Sequence, residues 1–315
     1  MRYVLRRIWQ SAVVLLVAFT AAFLLLQALP GDAIMIKYEN PELGLSPQQI
    51  AEVRERFGVD TSLPVQYVHT LLGFGAGDFG YSLQTGTPVR QLLGEAIGHT
   101  LVLGGLALVL AVLLAAGVAF LSTVPRFGWI RQLLRSVPAL VVSIPTFWLG
   151  IMLVQVFSFQ LGWVSVIGPG PIEGLILPVI TLAVPLSAPL AQILVRSIDD
   201  VAAQPFVTVV RAKGASPTWI LGRNIAKNAV LPTLTMAGLI LGDLIGGAVL
   251  TETVFGRPGI GRITEQAVNN QDTPVLLAVV VLAAASFVVV NLVVDLLYPV
   301  LDPRLAGRVK EGATA

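Results

Sequence analysis

The 315 residues are 55% hydrophobic and 12% charged, with a mean hydropathy of +0.83 and a formal net charge of +2. Soluble domains carry about 25% charged residues, so a soluble fold is set aside, and so small a net charge gives no footing for nucleic acid. The absence of Cys removes disulfides, thiolate metal sites and a cysteine nucleophile from consideration.

A membrane-crossing helix needs about 20 predominantly apolar residues, and charged residues cut the chain into six such runs. The first, Ile8 to Leu29, follows Arg2, Arg6 and Arg7 as the core of a signal peptide would. It is longer than the usual ~7–15 residues, and no A-x-A-like site closes it, so a retained helix is expected. Pro30 to Gly98 is a polar excursion with eight acids against four bases. Within it, Ser46-Pro47-Gln48-Gln49 reads as N-cap, N1 proline and capping glutamine, opening a helix that stops at Gly58. A loop this long is either a folded external cap or a solvated excursion. Thr100 to Thr123 forms the second run, and Val137 to Phe159 the third, with Pro138 and Pro145. Leu175 to Val195 is the fourth, with Pro178, Pro185 and Pro189. Each proline removes a backbone hydrogen bond and is expected to kink its helix. Ala229 to Leu250, opened by Pro232 and containing Asp243, is the fifth. The sixth runs from Pro274 to about Leu297, with Asp295 near its end as a structural cap or ion pair.

Orientation follows from Lys and Arg, which favour the cytoplasmic side. Fourteen of the twenty lie in the N-terminus, the 2–3 loop, the 4–5 loop and the C-terminal tail. The predicted fold is therefore all-α and polytopic, with six transmembrane helices and both termini inside.

No catalytic constellation is visible. No lysine follows a glycine, so a phosphate-cradling Walker loop cannot occur. Gly256-Arg257-Pro258-Gly259-Ile260-Gly261 follows no βα pattern and reads as a turn. His69 and His99 lack carboxylate or histidine partners at ligand spacing and read as structural or surface residues, so neither a metal site nor an intramembrane enzyme is expected. The basic 4–5 loop is where an external engine would attach. Pro205 opens a helix ending at Gly214, a C′ position suited to αL geometry, and Ser216-Pro217 restarts a helix. Trp219, Arg223 and Lys227 then recur every four residues. The alternative is an amphipathic segment lying on lipid headgroups.

The run Phe206-Val207 to Arg211-Ala212-Lys213-Gly214, with Pro232 beyond it, resembles the "EAA" loop of ABC-importer permeases in the form typical of the dipeptide/oligopeptide group. The glutamate that names the loop is replaced by Arg211. Other stretches resemble the B-type permease subunit of that group, in order along the chain. They are Pro30-Gly31-Asp32, Gly77-Asp78-Phe79-Gly80-Tyr81-Ser82, Ser143-Ile144-Pro145-Thr146-Phe147-Trp148, Thr251-Glu252-Thr253-Val254-Phe255 with Pro258-Gly259-Ile260-Gly261, and Asp295 to Arg304.

The resemblance implies a type I ABC importer transmembrane fold in a bacterial cytoplasmic membrane. Its parts would be an N-terminal helix (1–30), an external region (31–94), a five-helix type-1 transmembrane domain (95–301) with a cytoplasmic coupling loop at about 199–228, and a tail (302–315). It implies a non-catalytic permease subunit for di- or oligopeptides, with nickel or another small solute as the alternative cargo. A stand-alone secondary transporter or channel is the alternative class. The implied partners are a second, C-type permease subunit, two cytoplasmic ATPase subunits that carry ATP and Mg, and an extracellular or periplasmic binding protein. No cofactor is expected on this chain. Arg211, Ala212, Lys213, Gly214, Ala215, Ser216 and Pro217 would form the coupling site, its basic residues pairing with ATPase acids or with phospholipid headgroups. Gly238, Gly242 and Gly246 form a close-packing stripe expected to face the partner permease. Asp243 is expected to line the pathway or to make a structural hydrogen bond, because a mid-membrane carboxylate costs about 2.5–3.5 kcal/mol unless it has a cavity or partner.

Overall fold

The computed structural model describes residues 2–27, 46–49, 52, 61–123 and 128–301. Its helices are α1 (Arg2–Gln27), α2 (Leu63–Ala76), α3 (Val89–Leu121), α4 (Gly128–Val142), α5 (Thr146–Leu153), α6 (Glu173–Ala202), α7 (Pro205–Ala212), α8 (Pro217–Ile220), α9 (Ala226–Val254), α10 (Ile260–Asn269) and α11 (Thr273–Leu301). A π-helical segment, Val154–Gln160, continues α5, and another, Leu221–Ile225, joins α8 to α9. Among the described residues the sole β-type pairing is the isolated bridge between Tyr81 and Pro88.

The chain divides into two compact units. The first holds α1, α2, the opening turns of α3 up to His99, α10 and the start of α11 up to Val288. Its core is aromatic. Phe19 and Phe23 of α1 meet Tyr67 and Phe74 of α2 edge-on at 5.2–5.7 Å between ring centres, and Phe79 continues the chain of rings at 5.0 Å from Phe74. Such edge-to-face pairs satisfy the ring quadrupoles as well as filling space. The hydroxyls of Thr20 and Tyr67 are 2.8 Å apart in the same seam.

The second unit holds α3 from Thr100, α4 to α9 and the chain from Val289. Here α4, α5 and α9 pack against α6. Lipid tails are as apolar as leucine, so the helices are held by close van der Waals approach rather than by expulsion of water. Small residues make that approach possible. On α3 the positions Leu103, Ala107, Ala111, Ala115 and Ala119 recur every fourth residue, and all are buried. Four of them join Leu182, Leu190, Ile240 and Leu244 in one cluster, and Ala119 joins a second at the far end of α6. A Cβ on Gly104 would lie 2.8 Å from the Leu244 side chain, and one on Gly247 would lie 2.7 Å from Leu182.

Among the described residues four helices are long and apolar enough to cross a membrane, Arg6–Gln27, Val89–Leu121, Glu173–Ala202 and Thr273–Val293, or five with a bent pair. The bent pair corrects the third expected span. Gly128–Val142 and Thr146–Gln160 meet at 102°, so Val137 to Phe159 is not one kinked helix. Pro145 has no N–H to donate, disfavours helical geometry at Ile144, and itself adopts extended backbone (ψ 133°) as it opens α5. The other prolines behave differently: Pro138, Pro178, Pro185, Pro189 and Pro232 all sit inside continuous helices. Pro232 therefore does not open the fifth run, which starts a turn and a half earlier in α9. The capping box at Ser46 forms as expected, with Ser46 N–H donating to Gln49 Oε1 at 2.9 Å and Gln49 N–H to Ser46 Oγ at 3.3 Å. The stop at Gly58 and the motif at Pro30 to Asp32 lie outside the described residues.

Candidate coupling site

The site grows from the C-terminal turns of α6. Val195, Ile198 and Val201 present a buried apolar edge, on which Val207 of α7, Ile220 and Leu221, Ile225 and Ala229 close a single cluster. Arg135 of α4 fastens the same region through an ion pair to Asp199 at 2.8 Å. Gln204 adopts extended backbone and Pro205 takes the first helical position, where its missing N–H costs nothing. After Lys213 the chain turns through Gly214 at φ +83°. Ser216 then caps the next helix by accepting from the Trp219 N–H at 3.3 Å, with Pro217 at its first position.

Two short helices thus meet at Gly214, anchored below and open above. Arg211, Ala212, Lys213, Gly214, Ser216 and Pro217 are exposed, while Ala215 is half-buried against the apolar cluster. Phe206, Val209 and Trp219 expose large apolar side chains beside them. The Arg223 guanidinium lies 5.9 Å over the Trp219 ring. Among the described residues, Arg211, Lys213, Arg223 and Lys227 have no carboxylate at ion-pair distance. The result is a basic and aromatic knob, exposed on its outer face.

The remaining predicted residues are not part of it. Gly238, Gly242 and Gly246 lie along α9, with burial falling from buried through half-buried to exposed. A Cβ on Gly246 would meet nothing within 4 Å, whereas the close approach inside this chain falls on Gly247. Asp243 lies in α9 and Asp295 in α11, but their side chains lie outside the described residues. His69 and His99 are exposed. Among the described residues no three His, Asp or Glu side chains group at metal-binding distance.

Several residues take structural roles that their local sequence does not announce. Asp272 is buried and accepts from Ser82 Oγ at 2.5 Å, Leu83 N–H at 3.1 Å and Gln84 N–H at 3.2 Å. It thereby pins the Gly77–Ser82 motif, whose Gly77 and Gly80 supply positive φ. Glu252, 1% exposed, accepts from Thr100 Oγ1 at 2.7 Å. Arg257 donates from Nη1 to the carbonyl of Gly174 at 2.7 Å. That carbonyl lies four residues before Pro178, which has no N–H to offer it, so the arginine supplies the missing donor.

Comparison with known proteins follows the same outline. Residues 107–307 match the family described as "Binding-protein-dependent transport system inner membrane component", and residues 1–104 match its N-terminal companion. The chain is 37% identical over 311 residues to a probable peptide ABC transporter permease protein, y4tP, of Sinorhizobium fredii, covering 96% of this chain and 98% of the relative. It is 34% identical over 305 residues to the glutathione transport system permease protein GsiC of Salmonella typhimurium, covering 97% and 99%. A chain of the inward-facing MetNI methionine ABC transporter superposes with a TM-score of 0.57 at 19% identity, covering 67% of this chain and 97% of that one. A chain of an amino acid ABC transporter superposes at 0.53, covering 66% and 93%.

Proposed function

The chain belongs to the family of inner-membrane components of binding-protein-dependent transport systems, and from that premise we propose that it forms half of the translocation pathway of an ATP-driven importer of di- and oligopeptides. It is an ABC importer permease of the peptide and glutathione type. A second, homologous C-type permease subunit completes the pathway, two cytoplasmic ATPase subunits supply ATP hydrolysis, and an external binding protein delivers cargo. The chain crosses the membrane six times with both ends inside, a reading supported by fourteen of its twenty Lys and Arg falling in alternate loops.

The observation that carries this reading is the knob from Pro205 to Lys227. Its fold is completed internally, but its basic and aromatic surface is not, as a force-transmitting contact requires. Arg211 to Pro217 are the coupling residues in this reading, and Asp243 lines the pathway where a peptide's amino terminus passes.

The test is uptake of labelled peptides, glutathione among them, into proteoliposomes holding both permease subunits and both ATPases. ATP inside the binding-protein-free compartment and binding protein on the other side should both be required. Uptake that persists without ATP or without the partner subunits would make the chain a secondary transporter or channel. Asp243→Asn should leave the complex assembled while reducing uptake of free-amine peptides; normal uptake across the panel, or dissociation, would show Asp243 to be structural.

A further inference from the structure

The loop between α5 and α6 presents an unusual surface. Residues 136–195 contain a single ionisable side chain, Glu173. That carboxylate is turned into the loop, where Oε1 accepts from the Ser165 N–H at 2.6 Å. The loop is otherwise built to hold apolar groups outward. Trp163 is 69% exposed, and Ile167 and Ile172 are each 80% exposed. It is also prefolded. Gly162 and Gly168 adopt positive φ, Trp163 packs at 5.6 Å from Phe157, and the N–H groups of Trp163 and Val164 both donate to the Phe157 carbonyl. A loop in water has no reason to order itself around displayed isoleucines.

The length of the preceding helix says where the loop lies. After the 102° break, the run Thr146–Gln160 stands alone. At no more than about 1.5 Å per residue it rises about 22 Å at most, short of the ~30 Å hydrocarbon core. A helix of that length leaving the coupling-side surface at Thr146 ends below the opposite surface, on the side away from the coupling knob, which sits at the other end of α6. In the hydrocarbon core backbone needs internal partners; Leu161, Trp163, Val164 and Ser165 have them, while the N–H groups from Val166 to Ile172 depend on the water of the interfacial layer. We propose that residues 161–172 form a lipid anchor seated in the membrane interface, with Trp163, Ile167 and Ile172 inserted among lipid chains. A soluble partner docking here would meet a face without a charge to complement, whereas neutral aromatic and aliphatic groups at a helix end are what the interface accepts.

The proposal rests on the membrane placement of the chain and not on the identity of its cargo. Its test uses Ile167→Cys in this naturally cysteine-free chain, spin-labelled, in the full complex with its partner subunits in lipid nanodiscs. Collision rates are measured with oxygen, which partitions into lipid, and with a neutral nickel chelate, which stays in water. With the binding protein left out, oxygen should exceed nickel several-fold at position 167, with the order reversed at the exposed Asn270→Cys. Nickel access equal to that of Asn270→Cys would make the loop an aqueous surface, and low collision with both reagents would mean protein cover; either result overturns the anchor. If labelling at 167 prevents assembly, Ile172→Cys reads the same patch. An oxygen preference in a complex that imports no peptide would uphold the anchor while removing the peptide reading.

Discussion

Gly214 has φ +83°, and a Cβ built on it meets nothing within 4 Å. Crowding is therefore no objection to a side chain there, and the entire penalty is backbone conformation, about 1–2 kcal/mol for an ordinary L-residue. Asn tolerates the left-handed region far better than Val does. Uptake per ATP hydrolysed should fall in the order Gly214, Gly214→Asn, Gly214→Val, with hydrolysis itself persisting. Equal coupling ratios in all three would remove this turn from the mechanism. The geometry of this turn was legible from sequence because every determinant is local: Pro205, Gly214, Ser216 and Pro217 act on neighbours within one helical turn. Asp272 and Arg257 were not, because their partners Ser82 and Gly174 are 190 and 83 positions away. Nothing in the local pattern distinguishes either residue from an ordinary surface charge.

Among the helices, small residues at two adjacent positions of α9 meet different surroundings. Gly247 lies where Leu182 of α6 would meet a side chain at 2.7 Å, while Gly246 opens onto empty space. Gly247→Leu should destabilise the chain itself, by about 1–3 kcal/mol as overpacking does, and lower its thermal midpoint even when purified alone. Gly242→Leu and Gly246→Leu should leave that midpoint near its original value and instead weaken co-purification of the partner permease. Loss of thermal stability in Gly246→Leu with assembly intact would remove the stripe from the subunit interface. The glycines stand out in an apolar helix, but the one at a close approach within the chain, Gly247, lies off the predicted stripe. The alanine stripe of α3 could not be read from sequence, since in a helix apolar on every side alanine offers no contrast to mark the buried face. The break at Pro145 was half visible: the proline announced a disturbance, but five other prolines lie within helices that continue through them.

For the whole molecule, sidedness is the first quantity to measure. With no native cysteine, Ser46→Cys and Asn270→Cys should react with an impermeant thiol reagent added to intact cells, and Thr218→Cys should react only after the membrane is opened. Labelling of Thr218→Cys from outside would invert the topology and with it the coupling site. The link from Arg257 to Gly174 has a consequence in time as well as space. A ribosome releases Gly174 and Pro178 well before Arg257, 83 residues later than Gly174. At about 5–20 residues per second, that interval lasts about 4–17 s. Until Arg257 follows, the opening turn of α6 is without the donor that Pro178 cannot give. That end of the helix is completed only late in synthesis.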